Sequence, residues 1–329
     1  MSEEYIQKSN QILQKLRQQL NQSMVLESGL VDQLLIALLN QGHVLLEAAP
    51  GLGKTTLVKV LSKLMGLEYQ RVQCTPDLMP SDITGANVYN PKTQEFTLHK
   101  GPVFTQLLLV DEINRTSPRT QSALLQAMAE RCVTLDRTTY DLDSQFLVMA
   151  TQNPVEFSGT YPLPEAQLDR FFIKLNVAYP NAADLKKIAL INLSQQPEQC
   201  VKPLINAKIL AQLQAVVQRV LIKDDVLEYA AALCDGVNQH CDIRIGVSPR
   251  GCVALVKAAK AYALLQQRQF VTPDDIMLMA SPVLAHRLLS VKDMAFDKAF
   301  FQKVAVMIPA PSTALQTVNK QANSGLALV

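Results

Sequence analysis

The sequence predicts an α/β domain, a parallel sheet flanked by helices, followed by a second domain built of helices. Short, largely apolar runs are interleaved with helical patterns between residues 40 and 178: His43 to Leu46, Gln106 to Val110 and Phe146 to Ala150. Continuous rather than alternating apolarity marks strands covered on both faces, as in a parallel sheet. After Tyr179-Pro180 only helical periodicity remains. The 329 residues, 48% hydrophobic and 18% charged, suffice for about two folded domains and exclude a disordered chain.

Residues 4 to 22 carry Ile6, Ile12, Leu13, Leu16 and Leu20 at helical spacing on a polar background. Leu30 to Leu39 forms a second helix, stopped at Asn40-Gln41-Gly42. The strand His43 to Leu46 enters a Gly/Pro turn and a helix over Thr55 to Leu64, the opening of a βα unit. Cys74 to Pro102 is rich in turn signals and accommodates a hairpin between Ala86-Tyr89 and Glu95-Leu98. Then come the strand Gln106 to Val110, a helix over Thr120 to Glu130, a second hairpin pairing Cys132-Leu135 with Thr139-Leu142, and the strand Phe146 to Ala150. Residues 182–194, 206–219, 224–240, 249–267 and 273–289 are helical by period, and Thr272-Pro273-Asp274-Asp275 is a helix start with proline at the first position. The boundaries expected are an N-terminal helical extension (1–23), an α/β domain with two hairpin insertions (24–180), a helical domain (181–290) and a C-terminal tail (291–329), loosely structured after about residue 306.

Charge is nearly balanced, 31 basic against 29 acidic residues, so no nucleic-acid partner is expected. The polar N-terminus lacks an apolar signal core, and no run approaches a membrane-spanning length; a cytoplasmic protein without a transmembrane segment is expected. The six scattered cysteines contain no C-x-x-C pair and read as reduced thiols.

Between the first strand and its helix stands Pro50-Gly51-Leu52-Gly53-Lys54-Thr55-Thr56. A loop of this type turns successive amides toward phosphate oxygens, and the helix N-terminus adds partial positive charge. Lys54 would reach the β- and γ-phosphates of ATP, and the Thr55 hydroxyl would ligate Mg²⁺. The strand Leu107 to Val110 ends in Asp111 and Glu112, the first suited to holding Mg²⁺ and the second to activating water.

Several segments together resemble the MoxR family of AAA+ ATPases: Leu46 to Lys54, Thr75 to Gly85, Asp111 to Arg115, Ala150 to Pro154, Gly159 to Phe171, Ser248-Pro249-Arg250 and Val271 to Asp275. The resemblance spans about residues 25 to 289. It implies a P-loop AAA+ parallel sheet followed by an all-helical lid domain. It implies that Asn153 is the sensor-1 residue, Arg170 the arginine finger acting on a neighbouring subunit, and Arg250 the sensor-2 residue of the lid. Arg115 and Arg119 are candidates for structural ion pairs. A homo-oligomer, a hexameric ring, follows from a finger given in trans. A separate von Willebrand A-type partner and chaperone-like remodelling or maturation of a protein complex, metal insertion included, belong to the same expectation.

Two positions depart from the family. Ala48 stands where the phosphate loop begins with glycine. With a positive φ it would cost about 1–2 kcal/mol, and with a negative φ little. Leu26-Glu27 replace a Gly-Gln pair near the adenine. The alternatives are a nucleotide-gated scaffold without turnover and an AAA+ motor stimulated by nucleic acid.

Overall fold

The computed structural model describes residues 3–27, 29–49, 51–92, 94–153, 159–194, 197–291 and 296–309. They fall into two compact units divided between Val217 and Gln218.

The first unit opens with helices α1 (Glu3–Ser23) and α2 (Leu30–Leu39). Leu13, Leu16 and Leu20 of α1 are at most 1% exposed, so this helix is part of the core rather than an appendage. Arg17 pairs with Asp32 across 2.5 Å and joins the two helices. There follow β1 (Val44–Ala48), α3 (Lys54–Met65), β2 (Tyr69–Gln73), α4 (Pro80–Thr84), the hairpin β3 (Gly85–Asn90) and β4 (Glu95–Lys100), β5 (Leu107–Asp111) and α5 (Pro118–Glu130). A second hairpin, β6 (Cys132–Leu135) and β7 (Thr138–Asp141), precedes β8 (Leu147–Gln152), α6 (Glu165–Leu168) and β9 (Ile173–Val177).

The sheet is parallel throughout, in the order β2-β5-β8-β1-β9. Every residue of β5 is buried. Leu108 and Val110 pack in a cluster with Leu124, Leu125 and Met128 of α5, and with Phe146, Val148 and Phe171. Leu107 and Leu109, equally buried, alternate to the other face. His43 locks the base of the sheet. Its Nδ1 accepts the Val148 amide at 3.0 Å, so Nε2 carries the hydrogen and donates to the Met128 carbonyl at 3.0 Å. Burial holds its pKa down at about 4, so the ring is neutral.

Helices α7 (Ala182–Ser194), α8 (Pro197–Cys200) and α9 (Ala207–Gln218), expected in the helical domain, group almost entirely with the α/β unit. The reason is local. The amides of Leu204 and Ile205 donate to the Leu64 carbonyl at the end of α3, at 2.9 and 3.2 Å. From α9, Gln214 donates to the Leu38 carbonyl and to Gln145 Oε1. Helical period says that a segment has an apolar face, not which body covers it.

The second unit contains α10 (Asp224–Asn238), α11 (Pro249–Leu265) and α12 (Pro273–Leu284). Thr272 and Asp275 form a capping box on α12, and Arg268 braces Asp275 through two hydrogen bonds. A short antiparallel ribbon, β10 (Ile243–Ile245) with β11 (Leu289–Ser290), interrupts what the sequence reads as purely helical. The segment expected to be a tail contributes α13 (Lys298–Val306), capped by Asp297 and burying Phe300, Phe301 and Val304. The remainder of that tail from residue 310 lies outside the described residues. No helix among the described residues is long and apolar enough to cross a membrane.

Candidate active site

The carboxyl ends of β1, β5 and β8 meet at one edge of the sheet, the place where open parallel sheets bind ligands. After β1 the chain turns through Gly51 and Gly53, at φ 81° and 74°. Side chains adopt that region at a cost, whereas glycine does so freely. Helix α3 then starts at Lys54, with Thr55 and Thr56 in its first turn, where helical amides have no partner within the helix. Leu52 is half-buried in the loop, and Pro50 lies outside the described residues. Lys54 Nζ donates to the Ala48 carbonyl at 2.9 Å, which folds the lysine over the loop. Ala48 itself is the last residue of β1, paired with Val177 of β9. It is absent from the positive-φ positions, so alanine there carries no backbone strain.

Across the sheet edge, Thr55 Oγ1 lies 3.5 Å from Asp111 Oδ2. The other oxygen of Asp111, Oδ1, accepts the Thr151 hydroxyl at 3.1 Å. That hydroxyl in turn accepts the Glu112 amide at 2.9 Å. Glu112 sits at φ 58°, ψ 51°, a left-handed conformation that costs a non-glycine residue about 1–2 kcal/mol. The bond to Thr151 helps hold it there. This kink ends β5 and turns the Glu112 carboxylate away from the line of the strand, where it accepts Gln73 Nε2 at 2.9 Å and pairs with Arg115 Nε at 3.2 Å. Arg71 Nε occupies Asp111 Oδ2 at 2.8 Å. Buried Cys74, close to both carboxylates, has its thiol pushed up to about 12 by burial and by the charges of Asp111 and Glu112.

Asn153 follows β8 and is 3% exposed at the same edge. Arg170 is half-buried, with Nη1 donating to the Leu125 carbonyl at 2.7 Å. Gln121 links the turn after β5 to the segment leading to Arg170, since its Nε2 donates to the carbonyls of Ile113, Thr116 and Tyr161. Arg250 is in the second unit, one residue into α11, which Ser248 caps by accepting the Gly251 amide at 3.1 Å. Arg115 makes the ion pair with Glu112, whereas Arg119 is exposed beside a cleft of about 720 Å³ between the two hairpins.

The structure thus assembles Lys54, Thr55, Asp111 and Glu112, and adds Arg71, Gln73 and Thr151, which sequence reading does not single out. Thr151 was findable, since its hydroxyl ends a strand beside two carboxylates. Arg71 and Gln73 were not, because β2 has only Val72 buried and gives no apolar run.

A phosphate-type loop, a strand-end carboxylate pair and a buried polar residue on the adjacent strand define a nucleotide-binding ATPase fold of the AAA class. Residues 43–173 match the family model "ATPase family associated with various cellular activities (AAA)", and residues 237–305 match the AAA lid domain. The chain is 44% identical over 311 residues to the uncharacterized protein YeaC of Bacillus subtilis, covering 93% of this chain and 97% of that one. It is 38% identical to the chaperone MoxR1 of Mycobacterium tuberculosis, covering 83% and 74%. A solved structure from Cytophaga hutchinsonii, described provisionally as an ATPase, superposes with a TM-score of 0.85 at 33% identity, covering 94% of this chain and 98% of its own. The chain belongs to the MoxR family of AAA+ ATPases.

Proposed function

We propose that this chain hydrolyses ATP with Mg²⁺ and uses the cycle to remodel a partner protein. The observation that carries the reading is the meeting of Thr55 Oγ1 and Asp111 Oδ2, 3.5 Å apart, beside the Gly51–Gly53 loop. Both are hard oxygen donors, the set that suits Mg²⁺, so the residues present fit that cation. When bound, Mg²⁺ neutralises charge on the phosphates. Lys54 leaves the Ala48 carbonyl to contact the β- and γ-phosphates. Glu112 orients water and takes its proton, and Asn153 holds the water or the γ-phosphate in line. Arg170 gives its guanidinium to the nucleotide of a neighbouring copy, where charge builds up in the transition state. Arg250 takes the sensor-2 role.

A finger acting in trans requires a closed head-to-tail assembly, and we propose a hexameric ring in the cytoplasm. Leu185, Leu190 and Leu193 of α7 are 54–84% exposed, apolar surface of the kind an assembly covers. The hairpins are the client-facing elements in this reading. They are tied by a 2.7 Å bond from Asn87 Nδ2 to Asp136 Oδ2, and the first displays Tyr89 and Phe96 as an exposed aromatic pair with centroids 5.4 Å apart. The name of the mycobacterial relative supports a chaperone role. We place a separate von Willebrand A-type protein as the partner, with maturation of a complex, such as metal insertion, as the outcome.

The test is ATP turnover across a range of protein concentrations, beside Glu112→Gln. Turnover that rises with concentration and vanishes in the variant is expected. No turnover at any concentration would leave either a site that a partner must complete or a nucleotide-binding scaffold.

A further inference from the structure

Asp111 Oδ2, the atom facing Thr55, is already in contact with a cation. Arg71 Nε stands 2.8 Å from it, reaching from the neighbouring strand β2, which pairs with β5 in register Arg71 to Leu109 and Gln73 to Asp111. The two oxygens of Asp111 are therefore divided: Oδ1 is held by buried Thr151, Oδ2 by Arg71. The environments differ as well. The Asp111 side chain is 8% exposed, whereas that of Arg71 is 46% exposed, on a strand at the border of the sheet. The carboxylate is enclosed, whereas the guanidinium borders solvent into which it can move once its bonds to Asp111 and Gln73 are released. An arginine cannot give up its charge by deprotonation, so only movement can vacate the position.

We propose that Arg71 is an internal counter-ion that occupies the cation position at Asp111 Oδ2 and is displaced when Mg²⁺ arrives with nucleotide. The inference rests on the nucleotide reading of the site and adds a competitor to it. Arg71 offsets the buried charge of Asp111 while no cation is bound, which keeps that carboxylate from repelling incoming phosphates. It also raises the Mg²⁺ concentration needed, because ligation of Oδ2 must break an ion pair. Its departure loosens a second contact. Arg71 Nη2 donates to Gln73 Oε1 at 2.8 Å, and the same Gln73 amide donates to Glu112, so the counter-ion and the water-activating carboxylate share one side chain.

The experiment measures ADP affinity by calorimetry with saturating Mg²⁺ and with a chelator, for the full chain and for Arg71→Gln. The quantity read is the ratio of the two affinities. Glutamine removes the charge without adding apolar surface to a border strand. Arg71→Lys, which keeps the charge, serves as the second variant, and thermal unfolding without ligand checks that each is folded. The expected result is a ratio about five-fold larger in Arg71→Gln than in the unaltered chain, with Arg71→Lys close to unaltered. A ratio that is unchanged or smaller in Arg71→Gln overturns the proposal. A purely structural role would weaken both affinities alike and gives that result. Absence of ADP binding by the unaltered chain under both conditions is a different outcome. It removes the nucleotide reading, and the proposal with it.

Discussion

The Thr151 hydroxyl donates to Asp111 Oδ1 at 3.1 Å while accepting the amide of the next residue, Glu112. One buried oxygen on β8 thus fixes the direction of one carboxylate and the strained backbone of the other. Thr151→Val keeps the shape and removes both bonds. It leaves the Glu112 amide without this acceptor, a loss of about 1–3 kcal/mol in urea unfolding. Turnover is expected to fall at least about tenfold, with ATP affinity less affected, because positioning is lost at the carboxylates rather than at the loop. A variant with full turnover would show that the bridge is not needed for positioning.

Lys54→Ala is expected to abolish nucleotide binding. The bond to the Ala48 carbonyl at the loop's base is lost with it, a cost of about 1 kcal/mol in urea unfolding. Unchanged ATP affinity by calorimetry would contradict the assignment of the loop.

Arg170→Ala is expected to lower turnover while ATP binding stays intact. The bond to the Leu125 carbonyl is also lost, a cost of about 1 kcal/mol that unfolding should register. Normal hydrolysis by an assembled Arg170→Ala ring would sink the finger assignment.

Ala48→Gly tests whether the family's glycine matters here. Ala48 is in β1, 2% exposed and without positive φ. Restoring glycine should therefore leave ATP affinity within about twofold and lower stability by about 0.5–1 kcal/mol through backbone freedom. A large gain in affinity would mean that the loop needs a conformation other than this one.

His43 gives a pH dependence. Its folded pKa, about 4, lies below the ordinary 6.5, because burial disfavours the charged ring. The neutral form is the native one. Its contribution is complete above pH 6.5 and is lost as pH falls toward 4, where the unfolded chain takes up a proton that the folded chain resists. The full loss is about 3 kcal/mol. Urea unfolding of His43→Gln between pH 7 and 4.5 should show a lower but flatter stability than the unaltered chain. Parallel slopes would contradict this account.

The apolar strands and the chemistry-bearing loop were legible because their residues announce themselves. Leu107 to Val110 cannot be exposed, and Gly-Leu-Gly-Lys-Thr has few uses other than phosphate. Three kinds of feature were not. Strand β2 carries one buried residue, so its pattern is that of a surface segment, and its role depends on pairing with β5. Helix α5 begins at Pro118, two residues before the expected start, because Ser117 caps it by accepting the Thr120 amide. The allegiance of α7 to α9 depends on contacts far away in sequence, such as Gln214 with Leu38 and Gln145. At the site, Lys54, Thr55, Asp111 and Glu112 are brought together as read. Apart from Arg115, the side chains that restrain the two carboxylates, Arg71, Gln73 and Thr151, lie 39 or 40 residues from the carboxylate each one holds, on strands whose adjacency local sequence does not record.

Strand β2 has a further consequence, for solubility. It is a border of the sheet, and a bare border invites pairing with another chain. Gln70, Arg71 and Gln73 are exposed there and leave Val72 as the strand's single buried apolar anchor. The polar composition that hides β2 from a reading based on hydrophobicity also places the charge of Arg71 on this border, which disfavours pairing with another chain. An apolar substitution at Gln70, which bonds to neither Asp111 nor Glu112 as Arg71 and Gln73 do, would raise the risk of aggregation.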